Sequence, residues 1–335
     1  MKQSLHSRIL SFFTDAPIMP ILIVGYIAAH FFVPNFASAY NQRVLMLQAS
    51  DLLIIACGVT FVVLNGGLDF SSTSVLTLGS VVGAYIMALS PLASNPAVSI
   101  PVAIVSILLI GLGVGAINGF AITVLKMPSF IATLATQLAF SGFAVLFNSL
   151  VSEKPSISGL PEAFFFFGGS GKWYPVPIIL ALLVWGYSYW LLKYTKFGRD
   201  IYATGVNPKT AYISGINVKK TIFILMLLSG LCAGIASVVA TARNQVGLPS
   251  LGDKLFITIM AAIIVGGTST TGGGGGFKQT MLGVLFVTLI TNIMNLLGVE
   301  WFIIMIIQGA LILLSTMVGT IFNSLWGSKV REGAK

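Results

Sequence analysis

Long stretches without a charged side chain decide what this sequence can fold into. A helix needs roughly 20 mostly apolar residues to cross a bilayer, and seven charge-free stretches are of about that length: 71–90, 97–125, 128–151, 174–192, 221–242, 279–299 and 301–328. Only 8% of the 335 residues are charged, whereas a soluble domain carries roughly 25%. So few charges cannot cover a water-facing surface, and the sequence therefore predicts an all-α protein that crosses a membrane many times.

Three weaker stretches complete the set. Residues 17–34 are slightly short, 44–64 contain one charge at Asp51, and 255–265 are apolar over only 11 residues before a glycine pair. The last stretch either spans the membrane with help from its flanks or forms a half-helix. Counting all three gives about ten transmembrane helices.

The lysine and arginine residues set the orientation. Cytoplasmic loops carry an excess of these cations, and with the N-terminus inside, 13 of the 18 fall in cytoplasmic segments. Both termini are therefore predicted to be cytoplasmic, as a segment at 1–16 and a tail at 329–335 that flank a transmembrane domain at 17–328. If 255–265 were re-entrant instead, the C-terminus with its three cations would lie outside. The same bias explains the net charge of +9, so no nucleic-acid partner is predicted.

The most highly charged cytoplasmic segment, 193–220, contains a short helix signal with both ends marked. Asn207 is a good N-cap, Pro208 suits the first helical position, and Gly215 suits a left-handed C-terminal cap. The pattern predicts a helix over 208–214. A capped helix exceeds what a connector needs, so we interpret the segment as a docking surface for a cytoplasmic partner; the alternative is a positively charged topology determinant.

Three short motifs lie in segments predicted to be cytoplasmic. The first spans 198–208 and continues with Ala211, Ser214, Gly215 and Ile216. The second is Asn-Gly-Gly-Leu-Asp-Phe-Ser at 65–71, and the third is Val-Gly-Gly-Thr-Ser at 265–269, followed by Gly272 and Gly273. Together they resemble the cytoplasmic loop, the Gly-Gly-Ile-Asp-Leu-Ser turn and the late glycine-rich loop of ribose-type sugar permeases, which are related to the branched-chain amino acid permeases. The resemblance covers about residues 44–325.

This resemblance implies the permease subunit of a bacterial ATP-driven sugar importer, a multi-pass protein surrounded by the lipid of the inner membrane. In such importers a cytoplasmic ABC ATPase subunit hydrolyses ATP, an extracytoplasmic sugar-binding protein delivers the solute, and two permease subunits form the pathway between them. Coupling to the ATPase is implied for six positions: Gly205, Asn207, Pro208, Ala211, Ser214 and Gly215. The five glycines at 272–276 and Ser-Ser-Thr at 71–73 depart from the family pattern, so the second permease is either identical or paralogous.

Polar side chains within the apolar stretches are candidates for lining the pathway. An unpaired amide in an apolar environment costs roughly 2–7 kcal/mol, so such groups either pair with one another or line water. The candidates are Asp51, Asn65, Asn118, Gln137, Asn292, Asn295 and Gln308. For each, the alternative is an interhelical hydrogen bond that only holds the bundle together. Asp51 is the one clear intramembrane charge, for which function is the default hypothesis; it is expected to reach interfacial water or to pair with Arg43 through a neighbour.

Glycine pairs and one acid mark the structural turns. Adjacent glycines permit positive φ angles and close packing, and a carboxylate just before a helix can cap it. The turn residues are Gly66, Gly67, Asp69, Gly266 and Gly267. The glycine run at 272–276 lacks the Gly-Lys-Ser/Thr sequence of a phosphate-binding loop and is expected to be a flexible turn.

The sequence contains no catalytic constellation and no metal-ligand spacing. Its nine acidic residues are scattered, and Cys57 and Cys232 each stand alone in an apolar stretch. We therefore predict a transport subunit without enzyme activity, cofactor or metal. The alternative is a stand-alone secondary transporter or channel for a small polar solute, although such carriers usually hold several intramembrane charges.

Overall fold

A computed structural model describes residues 18–171, 174–253 and 255–332. Within these ranges the regular elements are helices, and two short 3-10 turns at Pro91–Ser94 and Glu162–Phe166 accompany them. The helices are α1 Ile18–Phe32, α2 Ala39–Leu64, α3 Ser71–Ala88, α4 Pro96–Thr123, α5 Ser129–Val151, α6 Pro175–Tyr194, α7 Lys196–Val206, α8 Pro208–Ile213, α9 Val218–Asn244, α10 Leu255–Gly266, α11 Phe277–Leu296 and α12 Trp301–Glu332. The predicted all-α class is confirmed for this part of the chain.

Seven of these helices are long and apolar enough to cross a membrane: α2, α3, α4, α5, α6, α9 and α11. The other three predicted spans form shorter apolar helices, namely α1, α10 and the Trp301–Ser315 part of α12. With 12 residues, α10 is about 18 Å long, whereas the hydrocarbon core is about 30 Å thick. The count of ten crossings and the side on which the termini lie therefore stay predictions.

The centre of the bundle is built around α2 and α9. The α9 helix packs against α4, α2 and α3, while the other side of α2 packs against α6 and α11. Glycines allow the closest of these approaches: a Cβ on Gly111 of α4 would lie 2.2 Å from the carbonyl oxygen of Gly230 in α9. Small residues at such crossings let helix backbones approach within a bilayer, where apolar burial alone does not drive association.

Two loops lie together at one end of the bundle. The cation count predicts that the segments 152–173 and 243–254 are external, and within them Ile157 and Gly247 form an antiparallel bridge with backbone hydrogen bonds of 3.0 and 2.8 Å. At the other end, segments predicted to be cytoplasmic meet around α7. Loops predicted to share a side therefore lie together.

Candidate functional site

The short helix α8 forms where the sequence predicts a helix, and α7, which precedes it, was not predicted. The Asn207 side chain accepts hydrogen bonds from the backbone N–H groups of Lys209 and Thr210 at 3.0 and 3.1 Å, and Pro208 occupies the first helical position. Gly215 has a φ of 84°, which lets the chain leave α8 in the left-handed conformation. The helix ends at Ile213, one residue before the predicted end, because Ser214 is its C-cap.

The exposed side of α8 presents two large apolar side chains beside Lys209. Tyr212 is 73% exposed and Ile213 is 84% exposed, whereas Ala211 is 3% exposed. Ala211, one of the six positions implied for coupling, therefore faces the interior of the chain and not a partner surface. Tyr212 and Ile213 line an open hollow of about 910 Å³ that continues along Gly215 to Lys219.

The three motifs recognised in the sequence meet at one place, which we call the junction (residues 64–67, 202–206 and 271–276). The Gly273 N–H donates to the Leu64 carbonyl at 2.9 Å, and the Tyr202 hydroxyl donates to the Gly275 carbonyl at 2.6 Å. Asn65 donates to the hydroxyl of Thr204 at 3.3 Å. The C-terminal end of α2, the end of α7 and the glycine run are thereby tied together, so Asn65 serves as a contact between elements here.

Glycine is required where these backbones touch. A Cβ on Gly205 would lie 2.1 Å from the carbonyl oxygen of Leu64, so α7 crosses the end of α2 backbone to backbone. Gly66 and Gly272 have φ angles of 75° and 85°, which other residues rarely adopt. The run at 272–276, expected to be a flexible turn, is a turn, and it packs against both helices.

The glycine pair at 266–267 also has a structural role. A Cβ on Gly266 would lie 2.1 Å from the Gln279 carbonyl oxygen in α11, so the two helices are in close contact there. Gly267 follows with a φ of 104°.

Asp69 anchors a buried polar network beside the junction. Its Oδ1 accepts from the backbone N–H of Ser71 at 2.9 Å, at the start of α3, and also from the Ser71 hydroxyl. Its Oδ2 accepts from the Ser229 hydroxyl of α9. Asn118 donates to Ser71 at 2.8 Å and accepts from Thr136 at 2.9 Å. Asn118, proposed from sequence as a pathway residue, is thus wholly enclosed among α3, α4 and α5.

Asp51 lines a cavity whose walls are mostly apolar. It forms an ion pair with Arg243 at the end of α9, and not with Arg43, which instead donates to the carbonyl oxygens of Gly169 and Gly171. The cavity has a volume of about 260 Å³ and lies between α2, α9, α10 and α11. Its polar lining consists of Gln48, Asp51, Arg243, Asn244 and the threonines at 258, 288 and 291.

A second hollow, of about 450 Å³, opens beside this cavity, and we call it the outer hollow. Asn292 is buried and exchanges two amide hydrogen bonds with Asn41 of α2, at 3.0 and 2.8 Å. Asn295 is exposed, and both asparagines of α11 line the outer hollow, as their three-residue spacing predicts. Gln137 is half-buried on α5 and lines neither space.

Residues 43–316 match the model of a protein family, which is described as the permease component of the branched-chain amino acid transport system. The chain belongs to this permease family. Ribose import permease protein RbsC of Escherichia coli K12 is 32% identical over 286 residues, covering 85% of this permease and 87% of the relative. RbsC of Bacillus subtilis is 35% identical over 290 residues, covering 85% and 86%. The L-arabinose transport system permease protein AraH of E. coli K12 is 32% identical over 303 residues, covering 89% and 88%. No solved structure matches the chain.

Membership of this family confirms the resemblance read from the three motifs. The permease is a multi-pass protein of the bacterial inner membrane and a transport subunit, not an enzyme. Three features of the candidate site could not be read from the sequence. Arg243 appeared only as one of five external cations, Thr288 is an ordinary residue in an apolar helix, and the outward face of α8 depends on how that helix packs.

Proposed function

We propose that this permease is the membrane subunit of an ATP-driven sugar importer and that α8 docks onto a separate ATPase subunit. The observation that carries the proposal is the junction, since three motifs distant in sequence join α7 to the end of α2 and to the loop between α10 and α11. The names of the relatives supply the substrate class, because they are ribose and arabinose permeases.

The structure supports a mechanical role for the α7–α8 segment. An isolated six-residue helix is unstable in water, but α8 is fixed by its Asn207 cap and by the buried Ala211. A force on its exposed face passes through α7 to Gly205, which touches the backbone of Leu64. The helix α2, which ends there, also lines the 260 Å³ cavity through Asp51. Closure of two ATPase subunits would therefore act on the helix that borders the cavity.

The remaining partners complete the proposal. A sugar-binding protein on the external side would deliver the solute at the end of the bundle where 152–171 and 245–253 are paired. A second permease, identical or paralogous, would complete the membrane unit.

A double substitution of Tyr212→Ser and Ile213→Ser tests the docking face. Both side chains are exposed, so the membrane fold and expression should not change. Burying each apolar side chain at an interface is worth about 1.5–3 kcal/mol, so the ATPase should no longer co-purify with the permease. Uptake of radiolabelled D-ribose or L-arabinose by the full complex should then fall by tenfold or more.

Leu92→Ser is the matched control, because Leu92 is an exposed apolar residue that follows the C-terminal end of α3 and lies away from α8. This variant should keep both the ATPase and uptake. Normal co-purification and uptake in the double variant would show that the ATPase docks elsewhere. Uptake by the permease without any ATPase would instead support a stand-alone carrier, and uptake of neither sugar by the wild-type complex would contradict the substrate class.

A further inference from the structure

We infer that the 260 Å³ cavity is a solute-binding site formed within a single permease chain, and that it takes a neutral, hydroxyl-rich solute through Asp51, Arg243 and Thr288. The inference rests on the proposed function and places a solute contact within one subunit, whereas the resemblance to sugar permeases implies a pathway between two.

Unpartnered polar atoms carry this inference. Among the described residues, Asp51 Oδ1, Arg243 Nε and Thr288 Oγ1 are buried without a hydrogen-bond partner, and all three residues line the cavity. A buried polar atom without a partner destabilises a protein, so three that border one space indicate that a polar occupant supplies the missing bonds. The atoms offer one acceptor, one donor and one hydroxyl that does either, which complements neighbouring hydroxyl groups on a solute.

The charge balance of the site favours a neutral solute. Asp51 and Arg243 neutralise each other as an ion pair, so the cavity attracts neither anions nor cations. Its remaining walls include Leu52, Ile55 and Leu251, which can pack against the C–H face of a sugar. Such a mixture of apolar walls and a few placed polar groups is typical of small-molecule sites.

The other two threonines of the cavity, Thr258 and Thr291, are hydrogen-bonded to a side chain of the protein. Thr258 donates to Gln308 Oε1 at 3.1 Å, and the Gln308 amide donates to Thr291 at 3.3 Å. Gln308 is buried on α12 and so fixes two side chains of the lining, one on α10 and one on α11. Thr288 has no such support, and its hydroxyl is left for the solute.

Access comes from the side away from the junction. Gln48 lines both the cavity and the outer hollow, so the two spaces adjoin at this side chain. Asp51 and Asn65 are separated by 14 residues of α2, or roughly 20 Å. A solute that arrives through the outer hollow therefore reaches the ion pair before any group at the junction.

Thr288→Val tests the solute contact directly. Valine keeps the shape of threonine and removes only a hydroxyl that has no partner in the chain, so the permease should fold as before. Loss of one hydrogen bond to the solute should lower maximal uptake of D-ribose or L-arabinose by the full complex by about three- to tenfold. Thr241→Val is the matched control, since its hydroxyl is also buried and unpartnered but does not line the cavity. Equal uptake in the two variants would overturn the inference.

A role of the ion pair in solute binding is tested by comparing a single with a double substitution, because breaking the pair impairs folding whatever its function. Asp51→Asn leaves the partly buried Arg243 without its ion-pair partner, which is destabilising, whereas removing both charges costs less. Asp51→Asn with Arg243→Gln should therefore restore expression and ATPase binding but leave uptake at least tenfold low. Recovery of uptake together with expression would show that the pair only holds α2 against α9.

Cysteine protection tests occupancy without relying on transport. In a complex whose Cys57 and Cys232 are replaced by alanine, Thr288→Cys should react with a small water-soluble thiol reagent. Millimolar D-ribose or L-arabinose should slow this reaction, and leucine should not. A cysteine that never reacts, or one protected by leucine alone, would contradict a sugar site here. Retained binding of the ATPase in the same preparation would show that the proposed function survives that result.

Discussion

At the scale of single residues, Asp69 shows how a buried acid is accommodated near the membrane interior. The side chain is 2% exposed, and an ionised carboxylate removed from water must be hydrogen-bonded. The two hydroxyl groups and one backbone N–H that Asp69 accepts from come from α3 and α9. The sequence predicted that Asp69 caps α3; its carboxylate accepts from the N–H of Ser71, the first residue of α3, while Phe70 occupies the N-cap position. The bond from Ser229 was not foreseen.

We expect Asp69→Asn to be much milder than Asp69→Leu. Asparagine keeps one acceptor for Ser71 and a polar group that the Ser229 hydroxyl can face, whereas leucine leaves three buried donors unpaired at about 1–3 kcal/mol each. The yield and thermal stability of the detergent-solubilised permease measure the difference. Equal loss in both variants would instead indicate that the negative charge itself is needed.

At the scale of elements, the junction depends on backbones that touch. The α7 helix meets the end of α2 at Gly205, and the glycine run fills the remaining space with φ angles of 71° at Gly273 and 93° at Gly275. These contacts, together with the Tyr202 hydrogen bond, pack α7 firmly against the end of α2 and the glycine run. A connector that only reversed the chain would not need such close packing.

Gly205→Ala should therefore impair assembly far more than a helical glycine substitution elsewhere. The added methyl would lie 2.1 Å from the Leu64 carbonyl, and overpacking of this kind typically costs 1–3 kcal/mol or more. Gly186→Ala in α6 is the control, because its Cβ meets nothing within 4 Å and alanine is the better helix former. Normal stability of Gly205→Ala would show that α7 can shift from α2 without loss.

At the scale of the whole molecule, two groups of loops lie at opposite ends of one bundle. The junction gathers 64–67, 202–206 and 271–276, and the paired loops at 152–171 and 245–253 lie together at the other end. The relative placement of these segments follows from the fold. Which end faces the cytoplasm rests on the excess of lysine and arginine.

Cysteines at positions 209 and 154 should be labelled on opposite sides of the membrane. Lys154 and Lys209 are both exposed, so access to the reagent depends on sidedness and not on burial. With Cys57 and Cys232 removed, an impermeant thiol reagent on intact cells should label Lys154→Cys and spare Lys209→Cys, and cell lysis should make both react. Labelling at 209 alone in intact cells would reverse the orientation.

The sequence by itself determined the features that depend on neighbouring residues. Hydrophobic length marked the seven long apolar helices, because a span needs about 20 apolar residues in a row. The N-cap of α8 was predictable because the Asn207 side chain accepts from residues two and three positions further on. Tertiary structure alone decided which distant groups meet. Asp51 pairs with Arg243, 192 residues away, Ala211 turns inward, and Thr288 faces an open cavity. The physical reason is that in a bundle of apolar helices many faces are equally hydrophobic, so the packing of the helices selects the neighbour of each polar side chain.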